Sequence, residues 1–347
     1  MRAKALGGPR RWPRVAAVWS SAYGAAHVWW LMDPGSPLAP PEEPFSPGRW
    51  VAVTLAFTAA AVCSLIAAGT AHHWAAPARW TLVALAWVAG AGLIVYSYAL
   101  AISLATMLFG QVDHWGALLT RAAGATAGAL TLACAVAEQR RVRRACVHCA
   151  RVHGRSPERR TDPTPRWAYL AAYIAIGGCA VRVTALVLDS MTAHEPLPFT
   201  LGSPFGIFVV LMILAGTLLP LALVHRFGRI WPRWVVPLAG RDVPRWLVLG
   251  PALFVGAGLT GYFGVAGMTA WLLGKGNLAQ APVWKVSMEM FGYTSWGLGL
   301  LAAAMSYYGL TRRDCPIPRA HHLADPERHH GARLSWPGPK RGSTPSA

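Results

Sequence analysis

Charge is what this sequence has least of: Asp, Glu, Lys and Arg make up 13% of its 347 residues, about half the share of an ordinary globular protein. Combined with 54% hydrophobic residues and a mean hydropathy of +0.36, that scarcity excludes a water-soluble fold, which could not hide so much apolar surface. Acidic residues are the scarcer sign, 14 against 32 Lys and Arg, and only four of the basic residues are Lys. In a soluble chain a formal charge of +18 would point to nucleic acid. Here the basic residues avoid the apolar runs and collect between them, so the charge reads as topology and nucleic acid is excluded as a partner. The excess of Arg over Lys, with abundant Ala and Gly, marks a GC-rich genome and carries no chemistry.

Cysteine is sparse and badly placed for disulfides. Cys63, Cys134 and Cys179 fall in apolar runs and Cys146, Cys149 and Cys315 in basic segments, so no outer loop holds a thiol. H-E-x-x-H, Walker A and G-x-S-x-G motifs are missing, as is an acidic pair at helical spacing inside an apolar run. The loops are too short for an ATPase or kinase domain. An enzyme, the least favoured reading, would need residues brought together only by the fold. No apolar run alternates with period two, which excludes a barrel.

What is present is a series of runs long enough to cross a bilayer, for which ~20 apolar residues suffice. Eight qualify: 15–32, 50–68, 80–102, 115–137, 167–188, 205–224, 246–267 and 291–310. The first follows basic residues as a signal peptide would, but Trp29, Trp30, Leu31 and Met32 stand where cleavage needs small residues, so it reads as an uncleaved helix. With the amino terminus inside, the cytoplasmic pieces hold five basic residues before Val15, one in 69–79, nine in 138–166, five in 225–245 and seven after Leu310, 27 of 32 in all. The outer loops hold only Arg49, Lys275 and Lys285, with Asp33, Glu42, Glu43, Asp113, Asp189, Glu195 and Glu289. The expectation is an all-α polytopic membrane protein of eight spans, in the cell membrane, with both termini cytoplasmic.

A weak internal repeat accompanies the spans. At an offset of 155 residues, Arg11-Trp12, Ala16-Ala17, His27-Val28 and Leu31 align with Arg166-Trp167, Ala171-Ala172, Arg182-Val183 and Leu186. Four spans per half preserve orientation, so the halves would be parallel repeats. The division expected is 1–137 as the first four-helix half, 138–166 as a basic connector, 167–310 as the second half and 311–347 as a Pro-rich disordered tail.

Arg182 is the most informative residue, since a guanidinium inside a span is costly and faces protein or water. It lies about six residues from the outer end of its run, at much the same depth as Arg121 and His27, roughly 9 Å below the outer surface. Glu289, Asp113 and Asp189 approach the same face. Arg121, Arg182, His27 and Glu289 are therefore the candidate ligand-binding residues, lining an outward-facing cavity for an anionic group. The plainer reading is that each Arg snorkels outward or forms an ion pair locking two helices. A bis-His haem between His27 and His114 would require an orientation that nothing in the sequence imposes.

Cys146-Val147-His148-Cys149 followed by His153 supplies C-x₂-C with a nearby imidazole, the beginning of a zinc knuckle that Cys315 could complete. Two surface thiols in a reducing compartment are the plainer reading. His72-His73, His321-His322 and His329-His330 are adjacent pairs whose rings diverge by about 100° on a helix, so neither pair-wise chelation nor a designed site is expected of them. Gly256, Gly258, Gly261, Gly264 and Gly267 smear small surface around the seventh run, which reads as close packing or as a locally unwound pathway helix. Trp12, Trp50, Trp80, Trp115, Trp167, Trp246 and Trp296 sit mostly at span ends, as interfacial anchors do.

Two cytoplasmic turns, Arg226-Phe227-Gly228 with Trp231-Pro232-Arg233-Trp234 and Leu238-Ala239-Gly240-Arg241-Asp242-Val243-Pro244, resemble those of poorly characterised actinobacterial integral membrane proteins. The opening helix, Val18-Trp19-Ser20-Ser21-Ala22-Tyr23-Gly24-Ala25-Ala26-His27, and the Cys-x-x-Cys segment resemble the same group, although Arg is more usual there than His27. The resemblance implies the polytopic architecture and no reaction, ligand or catalytic residue. The leading expectation is a transporter or ligand-binding membrane protein. The alternative is a non-catalytic scaffold whose basic loops contact anionic lipid head groups or a protein partner.

Overall fold

The computed structural model describes residues 11–36, 39–40, 48–69, 74–108, 110, 114–143, 145–146, 149, 162–193, 203–233, 235–274 and 282–312. Its helices are α1 (Arg11–Met32), α2 (Arg49–Ala68), α3 (Ala76–Tyr96), α4 (Leu100–Leu108), α5 (Trp115–Val142), α6 (Arg166–Ala193), α7 (Pro204–Val224), α8 (Arg245–Leu259), α9 (Met268–Leu272) and α10 (Val283–Leu310). A π-helical stretch, Thr260–Gly267, joins α8 to α9. Among the described residues there is no strand, only a bridge between Ile230 and Asp242 in the turn before α8.

Local chemistry sets several of the ends. Pro34 follows α1 within two residues and cannot continue it. Gly69 closes α2 in the left-handed region at φ 73°, its N–H donating to the Ile66 carbonyl at 3.3 Å. Ser203 caps α7 by accepting from the Gly206 N–H at 3.0 Å.

Among the described residues six helical stretches are long and apolar enough to cross a membrane: Arg49–Ala68, Ala76–Met107, Trp115–Val142, Arg166–Thr192, Gly206–Val224 and Arg245–Leu272. The third expected span is broken at Ser97–Ala99 into α3 and α4, and the seventh runs through the π-helical stretch. α1 and α10 have the length, 22 and 28 residues, but carry more polar, Gly and aromatic positions. The last helix begins at Val283, eight residues before the apolar run expected from 291, so Lys285 and Glu289 lie on its first turns and not in a loop. Asp189 likewise lies within α6. Charges interrupt the apolar run without interrupting the helix, because Lys and Glu are good helix formers.

The packing is inverted relative to a water-soluble bundle. Small residues fill the interior, among them Ala16, Ala52, Ala56, Ala59, Ala127, Ala172, Ala175 and Ala303, while Val18, Trp50, Leu119, Leu170, Leu211, Leu247, Phe291 and Met305 are exposed. Small interiors with large apolar exteriors are the arrangement of helices packing in lipid, where no hydrophobic effect rewards burial of Leu. The chain therefore has a multi-pass membrane architecture, with apolar surface suited to a bilayer. α2 and α5 each pack against α1 and α3, and α7 and α10 each pack against α6 and α8; between the two groups α3 meets α8 and the π-helical stretch, and α4 meets α8.

Charged side chains pair within one end of the molecule. Glu138, 2% exposed at its side chain near the end of α5, receives Arg79 of α3 at 2.7 Å and Arg141 at 3.2 Å. Its replacement by Ala strands Arg79, which is 19% exposed and only partly able to reach water. We expect Glu138→Ala to lower stability by about 2–3 kcal/mol in detergent thermal unfolding, below the full cost of opening a buried pair. Glu138→Gln, which can still accept hydrogen bonds, should recover part of the loss.

Candidate functional site

Glycine brings the candidate residues together. A Cβ on Gly178 would lie 2.5 Å from the Gly292 carbonyl oxygen and 2.6 Å from the Trp296 nitrogen, and one on Gly299 would lie 2.5 Å from the Ala171 carbonyl oxygen. α6 and α10 therefore touch backbone to backbone, the close approach that only glycine permits. One turn beyond Gly178, Arg182 faces α10. Its Nε donates to the Tyr293 hydroxyl at 2.8 Å, its Nη1 lies 3.6 Å from Glu289 Oε1, and its Cζ stands 5.3 Å from the Tyr293 ring centroid. The side chains of Arg182 and Glu289 are 18% and 22% exposed. Two turns along α6, Lys285 donates to Asp189 Oδ2 at 2.7 Å.

Tyr293 carries this site into the middle of the molecule. Its ring stacks on Phe263 of the π-helical stretch at 3.9 Å between centroids; Phe263 meets Tyr262 at 4.8 Å, and Tyr262 meets Tyr98 at 5.7 Å. Tyr98 lies in the break between α3 and α4, so the aromatic chain ends where the first group of helices is irregular. α4 is held in turn by Arg121 of α5, which donates to the Ser103 hydroxyl. The glycines of the seventh run divide between two neighbours. Gly258 and Gly261 face Ala101 and Tyr98, whereas Gly256, Gly264 and Gly267 face Leu301, Thr294 and Met290. The stretch is widened to a π-helix and remains helical, unlike the unwound segment weighed from sequence.

Of the sequence candidates, Arg182 and Glu289 are brought into contact, while Arg121 and His27 have other partners. His27 is 2% exposed, with Tyr23, Trp30 and Tyr96 at 4.6, 5.1 and 6.0 Å between ring centroids. Among the described residues neither of its ring nitrogens meets a hydrogen-bond partner. Cys146 is half-buried and Cys149 buried; His153 and Cys315 lie outside the described residues, as does Asp113. Among the described residues no three His, Cys, Asp or Glu side chains gather closely enough to hold a metal.

Sequence reasoning missed Tyr293 and Tyr308. Tyr293 follows Glu289 by four residues and so shares its face of α10. That spacing becomes visible once the helix is extended past the charged residues to Val283. On the opposite end, Arg229 is buried between the turn before α8 and the start of α6, donating to the Asp162 carbonyl at 3.0 Å, and burial pulls its guanidinium below the ordinary value.

No family model, curated protein or solved structure matches this chain. The fold and the site define its class as a helical membrane-type protein with a charged pair between two apolar helices.

Proposed function

We propose that this protein binds a small anionic solute at an outward-facing site around Arg182 and carries it across the cell membrane. The observation behind this reading is the Arg182–Glu289–Tyr293 cluster, stacked directly on a π-helical stretch. An anion of suitable size would compete with Glu289 for the guanidinium, whose planar fork suits carboxylate and phosphate alike. Release of Tyr293 would then be felt by Phe263 and, through Tyr262 and Tyr98, by the α3–α4 break and Arg121. π-helical turns occur frequently at functional positions and offer a helix a second register.

The topology proposed with it has eight spans, α1 and α10 joining the six apolar stretches, with both termini cytoplasmic. Supporting it, Arg79 pairs with Glu138 and Arg140 with Tyr308 at the proposed inner end, and Lys285 pairs with Asp189 at the outer end. Two parallel four-helix halves, 1–137 and 167–310, would put the site in the second half, beside its junction with the first. A zinc ion held by Cys146, Cys149, His153 and Cys315 would tie the connector to the tail.

One observation favours a second reading, a non-catalytic scaffold in which Arg182 locks α6 to α10: the guanidinium is already held by Glu289 and Tyr293. Thermal unfolding of detergent-purified protein against anionic, cationic and neutral solutes separates the two, since a ligand of the folded state stabilises it. We expect one class of anion to raise the unfolding temperature of the native protein and to have no effect on Arg182→Ala. No response from the native protein, with a lower baseline for Arg182→Ala, would establish the lock.

A further inference from the structure

At the other end of the molecule three arginines from three elements converge on one tyrosine. Tyr308 lies in the last turn of α10. Arg312, just beyond that helix, has its Cζ 4.8 Å from the ring centroid; Arg245, the first residue of α8, is at 5.8 Å; and Arg140, near the end of α5, is at 6.0 Å while donating to the Tyr308 hydroxyl. A tyrosine attracts a cation through its π system and its hydroxyl, and three guanidiniums gather on this one ring. The ring carries no net charge, so it leaves the positive charge of Arg140 and Arg245 standing.

The first group of helices shows how such an end is otherwise neutralised. There Arg79, at the start of α3, and Arg141, at the end of α5, close on the carboxylate of Glu138. Arg245 occupies the corresponding place at the start of α8, but faces Tyr308 where the first group has an acid. Among the described residues no carboxylate pairs with Arg140 or Arg245, and the buried Nε of Arg140 has no hydrogen-bond partner. Like charges so close repel, and a partly buried donor without an acceptor is costly. Arg245 also opens α8, whose first N–H groups lie beyond the reach of intrahelical acceptors and favour an anion.

We infer that Arg140 and Arg245, with Arg312 stacked beside them on Tyr308, bind a phosphate group at this end of α5, α8 and α10. Phosphate oxygens accept from several guanidinium forks at once, which a single carboxylate cannot do as fully. The phosphate would bridge α5 of the first group to α8 and α10 of the second, the same two groups whose relative movement transport would require, although the site itself does not depend on that reading. A phospholipid head group and free phosphate present the same chemistry here. Exposed Trp246, its ring 5.3 Å from Arg245, suits the depth of a head group.

The test uses the full chain, purified and stripped of lipid in a neutral detergent. Binding of phosphatidylglycerol is followed by native mass spectrometry with phosphatidylcholine as reference, and inorganic phosphate is titrated against chloride at constant ionic strength by thermal unfolding. Arg140→Gln with Arg245→Gln is compared with Arg233→Gln with Arg241→Gln, which removes equal charge from exposed positions. We expect the native protein to prefer phosphatidylglycerol or to be stabilised by phosphate, with the cluster variant at least about tenfold weaker and the control within about twofold of native. A lipid preference alone names the head group as the source, and a phosphate response alone names the free anion. Equal binding of the two lipids together with no phosphate response in the native protein overturns the inference even if the cluster variant fails to fold. So does a cluster variant that binds as the native protein does.

Discussion

Gly178→Val is expected to abolish the seating of α6 on α10, at a cost of about 3 kcal/mol or more, the upper range for overpacking. The first added carbon would lie 2.5 Å from the Gly292 carbonyl oxygen and 2.6 Å from the Trp296 nitrogen, both backbone atoms that no rotamer change can move aside. Separating the helices would relieve the clash only by pulling Arg182 from Glu289 and Tyr293. Gly177→Val supplies the control, because a Cβ there meets nothing within 4 Å. The measurement is recovery of monodisperse protein on size exclusion, followed by thermal unfolding. Equal behaviour of the two variants would show that α6 and α10 do not approach through Gly178.

Arg182→Ala carries the second large effect. Removing the guanidinium leaves Glu289, only 22% exposed, without its cation and the Tyr293 hydroxyl without its donor. Opening a fully buried pair costs about 3–5 kcal/mol, and the residual exposure of both partners reduces the expectation to about 2–3 kcal/mol. Glu289→Ala should cost somewhat less, since Tyr293 still accepts from Arg182. The double variant should be more stable than the sum of the single losses implies, by about 1 kcal/mol or more, the signature of groups in direct contact. Strict additivity in this cycle would mean that Arg182 and Glu289 do not interact.

Much of the scaffold was legible in the sequence. The eight apolar runs lie on helices, the third interrupted at Ser97–Ala99, since an apolar run of that length has few other ways to satisfy its backbone. The ends were less legible. Lys285 and Glu289 read as charges of the outer loop before the last run, yet α10 runs through both, because hydropathy measures solvent preference while helix formation depends on propensity and backbone bonding. The break at Ser97–Ala99 left no trace in an apolar stretch that continues without Gly or Pro across it.

The candidate site was legible only as separate residues. Arg182 stood out because a charge inside an apolar run is costly, and Glu289 because acids are few. Tyr293, which joins them to the π-helical stretch, looked like one aromatic among many. The tyrosine gathering Arg140, Arg245 and Arg312 was hidden for the same reason: its partners come from three elements distant in the chain.

The sequence by itself determined that the chain is helical, that its helices suit a bilayer, and which charges stand inside them, because composition and run length act locally along the chain. Only the tertiary structure decided which charge meets which. Arg182 reaches Tyr293, 111 residues away, because Gly178, Gly292 and Gly299 let two backbones touch along one line. That close fit depends on the rotation and register of both helices at once, a relation between distant residues that neither helix carries alone.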